Sequence, residues 1–255
     1  LPFFKKLITI LMKFLVCISN VPDTTTKIAF SDNKGLNPAG VQFIINPYDE
    51  IALTRALEIK EAAGGTVTVL HVGGVGAEPN IRKALAIGAD DAIRVNAEPT
   101  DAYFVACQIA DIAKKSQYDV ILTGRESIDY NGAQVAGMIA ELLNIPCISV
   151  ATKLDITGTE AVLEREIDGG KEVVSVALPF VASAQKGMSE PRIPNMRGIM
   201  TARTKPLQVV EPVAADCMTA STAYELPPAK QACKMISPDN VSELVDLLHN
   251  EAKVI

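Results

Sequence analysis

The chain has 255 residues, 48% of them hydrophobic, and a formal net charge of −6 from 24 basic and 30 acidic side chains. That length accommodates one large α/β domain with extensions and buries a substantial core. Scattered charges with an acidic balance exclude the basic face of a duplex nucleic-acid binder, and 5% aromatics with no Trp remove a base-stacking platform.

The opening run, LPFFKKLITIL, sets two lysines before a short apolar stretch in the manner of a secretory signal. No small-residue cleavage site follows, and Lys13 interrupts the stretch well short of the roughly twenty residues a membrane span needs. Met12-Lys13-Phe14-Leu15-Val16 is a natural start for a first strand. Residues 1–11 are therefore read as upstream sequence from an over-extended reading frame, and no transmembrane segment is expected.

Short apolar runs with β-branched residues read as buried strands at 14–19, 66–71, 91–95, 119–122 and 145–150. Helical periodicity fills the gaps at 50–62, 79–88, 102–115 and 133–143. In the third helix Val105, Ile109, Ile112 and Ala113 share one core-facing stripe. Strand alternating with helix implies parallel strands joined by right-handed crossovers, hence an α/β, doubly wound, mostly parallel sheet. An excursion over 23–46 breaks the rhythm. Its arms, 27–30 and 41–45 around a turn at 31–35, read as an inserted β-ribbon.

After Val150 the helices stop. Alternation at Val162, Glu164 and Glu166, a Gly169-Gly170 signal after Asp168 and a β-rich arm over 173–178 predict a tight hairpin. Met188, Met196 and Met200 then share a loop with Pro191, Arg192 and Pro194, a composition suited to partner binding. Beyond Pro206 the pattern weakens until a helix over 238–252, with Ser237 as N-cap and Pro238 in first position. The chain thus divides into an extension (1–11), an α/β nucleotide-binding domain carrying the hairpin and loop (12–206), and a C-terminal arm (207–255) suited to docking on another subunit.

Ligands of open α/β sheets bind beyond the carboxyl ends of the strands, where strand order reverses. The loop after the fourth strand, Gly124-Arg125-Glu126-Ser127-Ile128-Asp129-Tyr130-Asn131-Gly132-Ala133-Gln134-Val135, opens a helix. Gly124 permits close backbone approach, the helix N-terminus offers amides to a phosphate, and Arg125 adds charge. No G-x-x-x-x-G-K-[ST] occurs, and Val72-Gly73-Gly74-Val75-Gly76-Ala77 lacks full G-x-G-x-x-G spacing. Two histidines leave little room for a catalytic triad, and five cysteines without a C-x-x-C pair read as small buried hydrophobes in a reducing compartment. His71, among Val69, Leu70 and Val72, reads as a satisfied core or loop residue. No catalytic residue and no metal site are expected.

One ordered set of residues goes further. Arg165, Asp168, Gly169, Gly170 and Glu172, then Leu178-Pro179, then Glu190-Pro191-Arg192, then Ile199, Met200, Ala202 and Arg203 resemble the β subunit of electron transfer flavoprotein. The resemblance runs from about Met12 to the C-terminus. It implies a Rossmann-like, adenine nucleotide α-hydrolase-like fold in an electron carrier rather than an enzyme. The implied partner is an α subunit holding most of an FAD, with electrons arriving from acyl-CoA or other flavin dehydrogenases and leaving toward a quinone oxidoreductase. It implies a location in a bacterial cytoplasm or a mitochondrial matrix.

The same resemblance implies that this chain holds AMP, or a second FAD in an electron-bifurcating variant that would use NADH. The implied nucleotide residues are Cys17, Thr24, Asn46, Pro47, Tyr48, Asp49 and Val72, with Gly124, Arg125, Glu126, Ser127, Ile128, Asp129, Asn131, Gly132, Gln134 and Val135. Met188, with Glu190, Pro191 and Arg192, is implied to anchor dehydrogenase partners. The chain departs from the family at Asn20, where a basic residue is common, and at Tyr130-Asn131-Gly132, where acidic residues are common. A stand-alone nucleotide-binding regulator, such as a universal-stress-like module, is the competing reading. It leaves the hairpin, the Pro-Arg loop and the arm unexplained.

Overall fold

A computed structural model describes residues 11–31, 35–230 and 232–255. The elements in chain order begin with β1 (Lys13–Cys17), β2 (Asn20–Pro22), β3 (Phe30–Ser31), β4 (Gly35–Leu36), β5 (Phe43–Ile45), α1 (Pro47–Ala63) and β6 (Thr66–Val72). There follow α2 (Glu78–Ile87), β7 (Asp91–Val95), α3 (Ala102–Ser116), β8 (Val120–Gly124) and α4 (Val135–Leu143). Then come β9 (Cys147–Thr157), β10 (Glu160–Ile167), β11 (Gly170–Ala177), β12 (Phe180–Ala184), α5 (Met196–Ala202), β13 (Leu207–Val210) and α6 (Val241–Asp246).

Alternate residues of β1 face opposite layers, as the pleat requires. Phe14 and Val16 pack with Leu53, Leu57 and Leu85 of α1 and α2, whereas Leu15 packs with Ile109 and Ile139 of α3 and α4. Burial on both faces is why the strand reads as an unbroken apolar run. Among the described residues the main sheet has nine strands in the order β11-β10-β9-β12-β8-β1-β6-β7-β13. From β9 to β13 neighbouring strands run parallel, and β10 and β11 are antiparallel. Chain order steps away from β1 through β6 and β7 on one side and through β8 on the other, so the reversal falls at the carboxyl ends of β1 and β8.

The doubly wound, mostly parallel sheet matches the sequence reading, with two additions. Phe180–Ala184, whose five residues are all buried, inserts as β12 between β8 and β9. Its alanines and its position after Pro179 hide it from β-propensity. Leu207–Val210 closes the opposite edge beside β7, so the stretch expected to leave the domain at residue 207 first extends the sheet. It is then strapped down. The Gln108 amide donates to Val213 O (2.9 Å) and accepts from Val213 N (2.8 Å), and the Asp101 carboxylate accepts from Thr219 N (2.8 Å).

Three local expectations are corrected. The hairpin turn is Asp168-Gly169, closed by the pair Ile167↔Gly170 and with Gly169 at φ 83°, so Gly170 belongs to the strand and only one residue needs a positive φ. In the excursion, 43–45 pairs with Asn20–Pro22 rather than with 27–30, while Phe30–Ser31 pairs with Gly35–Leu36. Most of the turn expected at 31–35 lies outside the described residues, as do residues 1–10. The last helix starts at Val241 with Asn240 as its N-cap, because Ser237 Oγ accepts from Asp239 N (3.3 Å) in a preceding turn.

The described residues divide into two units, 11–28 with 37–222 and 29–36 with 223–255. In the second, the rings of Phe30 and Tyr224 lie 5.3 Å apart, and α6 buries no residue.

Helix α5 is held against α2 by backbone chemistry. Arg82 Nη1 donates to Ala202 O (2.8 Å) and Lys205 O (2.7 Å), and Lys205 Nζ donates to Leu85 O (2.9 Å). A Cβ on Gly198 would fall on the carbonyl oxygen of Ala86. That overlap involves backbone that cannot yield, and about 1–3 kcal/mol of overpacking outweighs the helix preference of about 1 kcal/mol that alanine holds over glycine. Gly198→Ala is therefore expected to lower the thermal unfolding midpoint, and an unchanged or raised midpoint would count against this packing.

Candidate functional site at the switch point

Two side chains from the start of α1 organise the crevice beyond β1 and β8. Asp49 Oδ2 accepts from Ser19 N and Ser19 Oγ, both at 2.7 Å, and Asp49 Oδ1 accepts from Gly124 N at 2.8 Å. Asn46 N donates to Ser19 O (3.0 Å), its Nδ2 donates to Glu126 O (2.8 Å), and its Oδ1 accepts from Ile128 N (3.4 Å). One clip thus joins the end of β1, the first turn of α1 and the loop after β8. Pro47 fits the first helical turn, where a missing N–H costs nothing. Gly124 is required there, since a Cβ would strike Asp49 Oδ1 and Tyr48 Cβ.

The loop from Gly124 to Gln134 is braced from three directions. Arg125 N donates to Ala184 O (2.9 Å), and the Arg125 guanidinium stands 5.5 Å above the Tyr48 ring while pairing with Glu126 (2.9 Å). Ser127 N donates to Gly132 O (2.9 Å), and Asp129 Oδ1 accepts from Ser127 Oγ (2.5 Å) and Tyr130 N (3.1 Å). Asn131 takes φ 55°, a left-handed turn that asparagine tolerates. Gln134 stands at the N-cap of α4 without a side-chain cap bond, and among the described residues no side chain claims the first-turn amides that begin at Val135.

Cys17 and Val72 lie in the same apolar cluster at the ends of β1 and β6. Burial, and then the nearby Asp49 carboxylate, push the Cys17 thiol far above its ordinary value, so it stays protonated and apolar in character. Of the expected nucleotide residues, Asn46 to Asp49 and Gly124 to Val135 are brought together. Thr24 sits on an exposed turn closed by Thr26 N and Asp23 O. Ser19 was not singled out, and its signal was available: a hydroxyl residue just past the carboxyl end of the central strand.

His71 is buried, with Nδ1 on Ile18 O (2.9 Å), and burial followed by the Arg94 charge lowers its pKa. That fits the structural role read from the sequence. Arg94, 5% exposed, donates to Gly73 O (3.0 Å) and Asn96 Oδ1 (2.9 Å) and pairs with Glu78 (3.3 Å).

The partner loop departs from expectation. Met188 is only 6% exposed and packs into the core cluster under α1, so it is not a free anchor. The reason lies in its neighbours. Ser189 Oγ donates to Glu58 (2.6 Å), and the Arg192 guanidinium forks onto both Glu61 oxygens (2.6 and 2.9 Å), holding the loop down on α1. Glu190 and Pro191 are exposed, and the large apolar side chains facing solvent are Ile193 (93% exposed), Met196 (74%), Met200 (68%) and, less fully, Ile199 (43%).

Fold and loop together define a doubly wound α/β domain whose β1–α1 turn and post-β8 loop are hydrogen-bonded to one another at the switch point. A family model described as the electron transfer flavoprotein domain matches residues 35–215. The chain is 40% identical to the electron transfer flavoprotein subunit beta of Bacillus subtilis (strain 168), covering 96% of this chain and all of that one. It is 37% identical to the subunit beta of Syntrophomonas wolfei subsp. wolfei, covering 95% and 98% of the two chains. It is 33% identical to the mitochondrial subunit beta of Oryza sativa subsp. indica, covering 96% and 100%. The chain belongs to the electron transfer flavoprotein β-subunit family.

Burial dominates Asp49, which is 4% exposed, and lifts its pKa from 3.8 to about 6 against the pull of the Ser19, Asn46 and Gly124 hydrogen bonds. A carboxyl raised by folding favours the native state most below its unfolded pKa, and that contribution is lost as pH rises through its folded pKa. Wild type is therefore expected to gain stability relative to Asp49→Asn as pH falls from 6 to 4, by at most about 3 kcal/mol. Paired chemical denaturation curves at each pH check this. A constant difference would contradict it, and the comparison cancels the opposite contribution of His71.

Proposed function

We propose that this chain is the nucleotide-holding and partner-docking subunit of a heterodimeric electron carrier, rather than an enzyme. The observation that carries this reading is the uncapped N-terminus of α4, reached through a loop pinned by Asn46, at the point where strand order reverses. The donors fit an adenine nucleotide: free first-turn amides and Arg125 suit phosphate, and the small buried Cys17 and Val72 suit a flat base. AMP is the expected ligand. Asn46, Tyr48 and the residues from Gly124 to Val135 would hold it. FAD, held mainly by an α subunit, would supply the one- and two-electron chemistry.

In this reading electrons come from acyl-CoA or other flavin dehydrogenases and pass toward a quinone oxidoreductase, in a bacterial cytoplasm or a mitochondrial matrix. Among the described residues no helix is long and apolar enough to cross a membrane. The segment 223–255, with Leu226, Met235 and Val241 exposed, is the proposed contact with the α subunit. Co-expression with an α subunit and quantification of released nucleotides tests the proposal. One FAD and one AMP per heterodimer support a simple shuttle. Two FAD and no AMP would replace it with a bifurcating carrier, and absence of a heterodimer would overturn it.

Docking on dehydrogenases is assigned to the solvent face of the 188–200 segment. A brief electron-transfer contact needs only a small apolar patch, and Ile193, Met196 and Met200 supply one. Ile193→Ala is expected to slow electron transfer from a dehydrogenase several-fold with no change in stability. Met188→Ala is expected to cost roughly 2–5 kcal/mol of stability, because it opens a cavity in the core. Stopped-flow reduction and thermal unfolding of both variants check the pair. Loss of transfer in Met188→Ala at wild-type stability would return the anchor to Met188.

A further inference from the structure

The Asp49 carboxylate is surrounded by donors on three chain segments, and none of its bonds faces outward. Oδ2 is filled by Ser19 N and Ser19 Oγ, and Oδ1 by Gly124 N. Asp49 is 4% exposed, and both of its carboxylate oxygens are engaged by the chain itself. Backbone amides at strand ends and helix starts are what an anion would otherwise seek, and here an internal carboxylate takes two of them. The start of α4 keeps its anion-binding capacity, since among the described residues no side chain caps the helix.

We propose that Asp49 is a positioning residue for the nucleotide rather than a ligand to it: its three hydrogen bonds fix Ser19 and Gly124, and through Gly124 the loop that leads to α4. The inference rests on the nucleotide reading above. An ionised carboxylate accepts from all three donors at once. Asparagine presents one acceptor and one N–H₂ group, and the N–H₂ group would face either Gly124 N or the Ser19 donors, setting donor against donor. A protonated aspartic acid meets a similar conflict, relieved only where the Ser19 hydroxyl rotates to accept.

The other groups facing Asp49 are few. Burial and then the Asp49 charge raise the pKa of Cys17 on β1, and burial, then Asp129, Asp101 and last Asp49 raise that of Tyr130 on the loop after β8. Neither titrates at neutral pH. Asn46 beside it is neutral, and the nearest cation described on the loop, Arg125, is engaged with Tyr48 and Glu126. His71, on Ile18 O next to Ser19, has its pKa lowered by burial and then by Arg94, and it is common to wild type and any Asp49 variant. Proton binding at Asp49, with its pKa of about 6, is therefore the titration that distinguishes them between pH 5 and 8.

The test uses the heterodimer with its α subunit and labelled AMP as the probe. Asp49→Asn is expected to release AMP at least tenfold faster than wild type at pH 8, with the gap narrowing below pH 6 as the wild-type carboxyl takes a proton. The second phosphate ionisation of AMP is common to both proteins and cancels. Hydrogen exchange at the Ser19 and Gly124 amides is expected to rise in Asp49→Asn without nucleotide. Ile59→Val, elsewhere in α1, serves as the structural control and is expected to release AMP at the wild-type rate.

Release from Asp49→Asn at the wild-type rate would overturn the positioning role. So would a gap that stays constant with pH, or equal acceleration in Ile59→Val. A wild-type heterodimer that takes up no AMP and no second FAD overturns the nucleotide reading itself, and the positioning role with it, whatever the amide exchange shows.

Discussion

Everything at the functional end of this molecule depends on the burial of β1 between two parallel neighbours. Its register with β6 on one side and β8 on the other leaves no edge and no exposed face. Such a strand has only its carboxyl end free to meet other segments, and the reversal of strand order opens a gap there. The crevice is therefore a consequence of topology. Loop chemistry decides only what the gap can hold.

That chemistry is mostly internal. Asn46 and Asp49 spend their polar atoms on the chain itself, and the Arg125 charge is shared between Tyr48 and Glu126. Burying Asp49 opposes its ionisation, yet at neutral pH three donors keep the charged form in place. A loop held this way would need little further ordering to receive a ligand. The flexible part of the cost is met during folding instead.

Much of this was legible in the sequence because the signals were local. The alternation of short apolar runs with amphipathic helices located β1, β6, β7 and β8 and helices α1 to α4 to within a few residues. A parallel sheet leaves little else for such a pattern to form. The loop after β8 was legible for the same reason, since Gly124 follows a strand and Val135 opens a helix. Less visible were features set by distant partners. Phe180–Ala184 is a strand because β8 and β9 flank it, and its alanines carry no β signal of their own. Asn20–Pro22 outcompeted 27–30 as the partner of 43–45 through the geometry of the turn into α1. Asp49 reads as a ligand from its position, and its hydrogen bonds to Ser19 and Gly124 join segments far apart in the sequence, which local reading does not reveal.

Met188 shows the same limit with greater consequence. A methionine in a Pro-Arg loop reads as exposed because its immediate neighbours are polar. The polar neighbours are what bury it: Ser189 and Arg192 reach Glu58 and Glu61 on α1, more than a hundred residues earlier in the chain, and draw the loop inward. The ion pair is largely solvent-exposed and adds little to stability by itself. Its effect is geometric. With the base of the loop fixed, and with α5 fixed to α2 through Arg82 and the close approach at Gly198, the intervening Ile193, Met196 and Met200 are displayed from a rigid frame. A small apolar patch on a rigid frame loses little entropy when it docks. A contact built on it would stay brief because the patch is small, not because the frame is rigid.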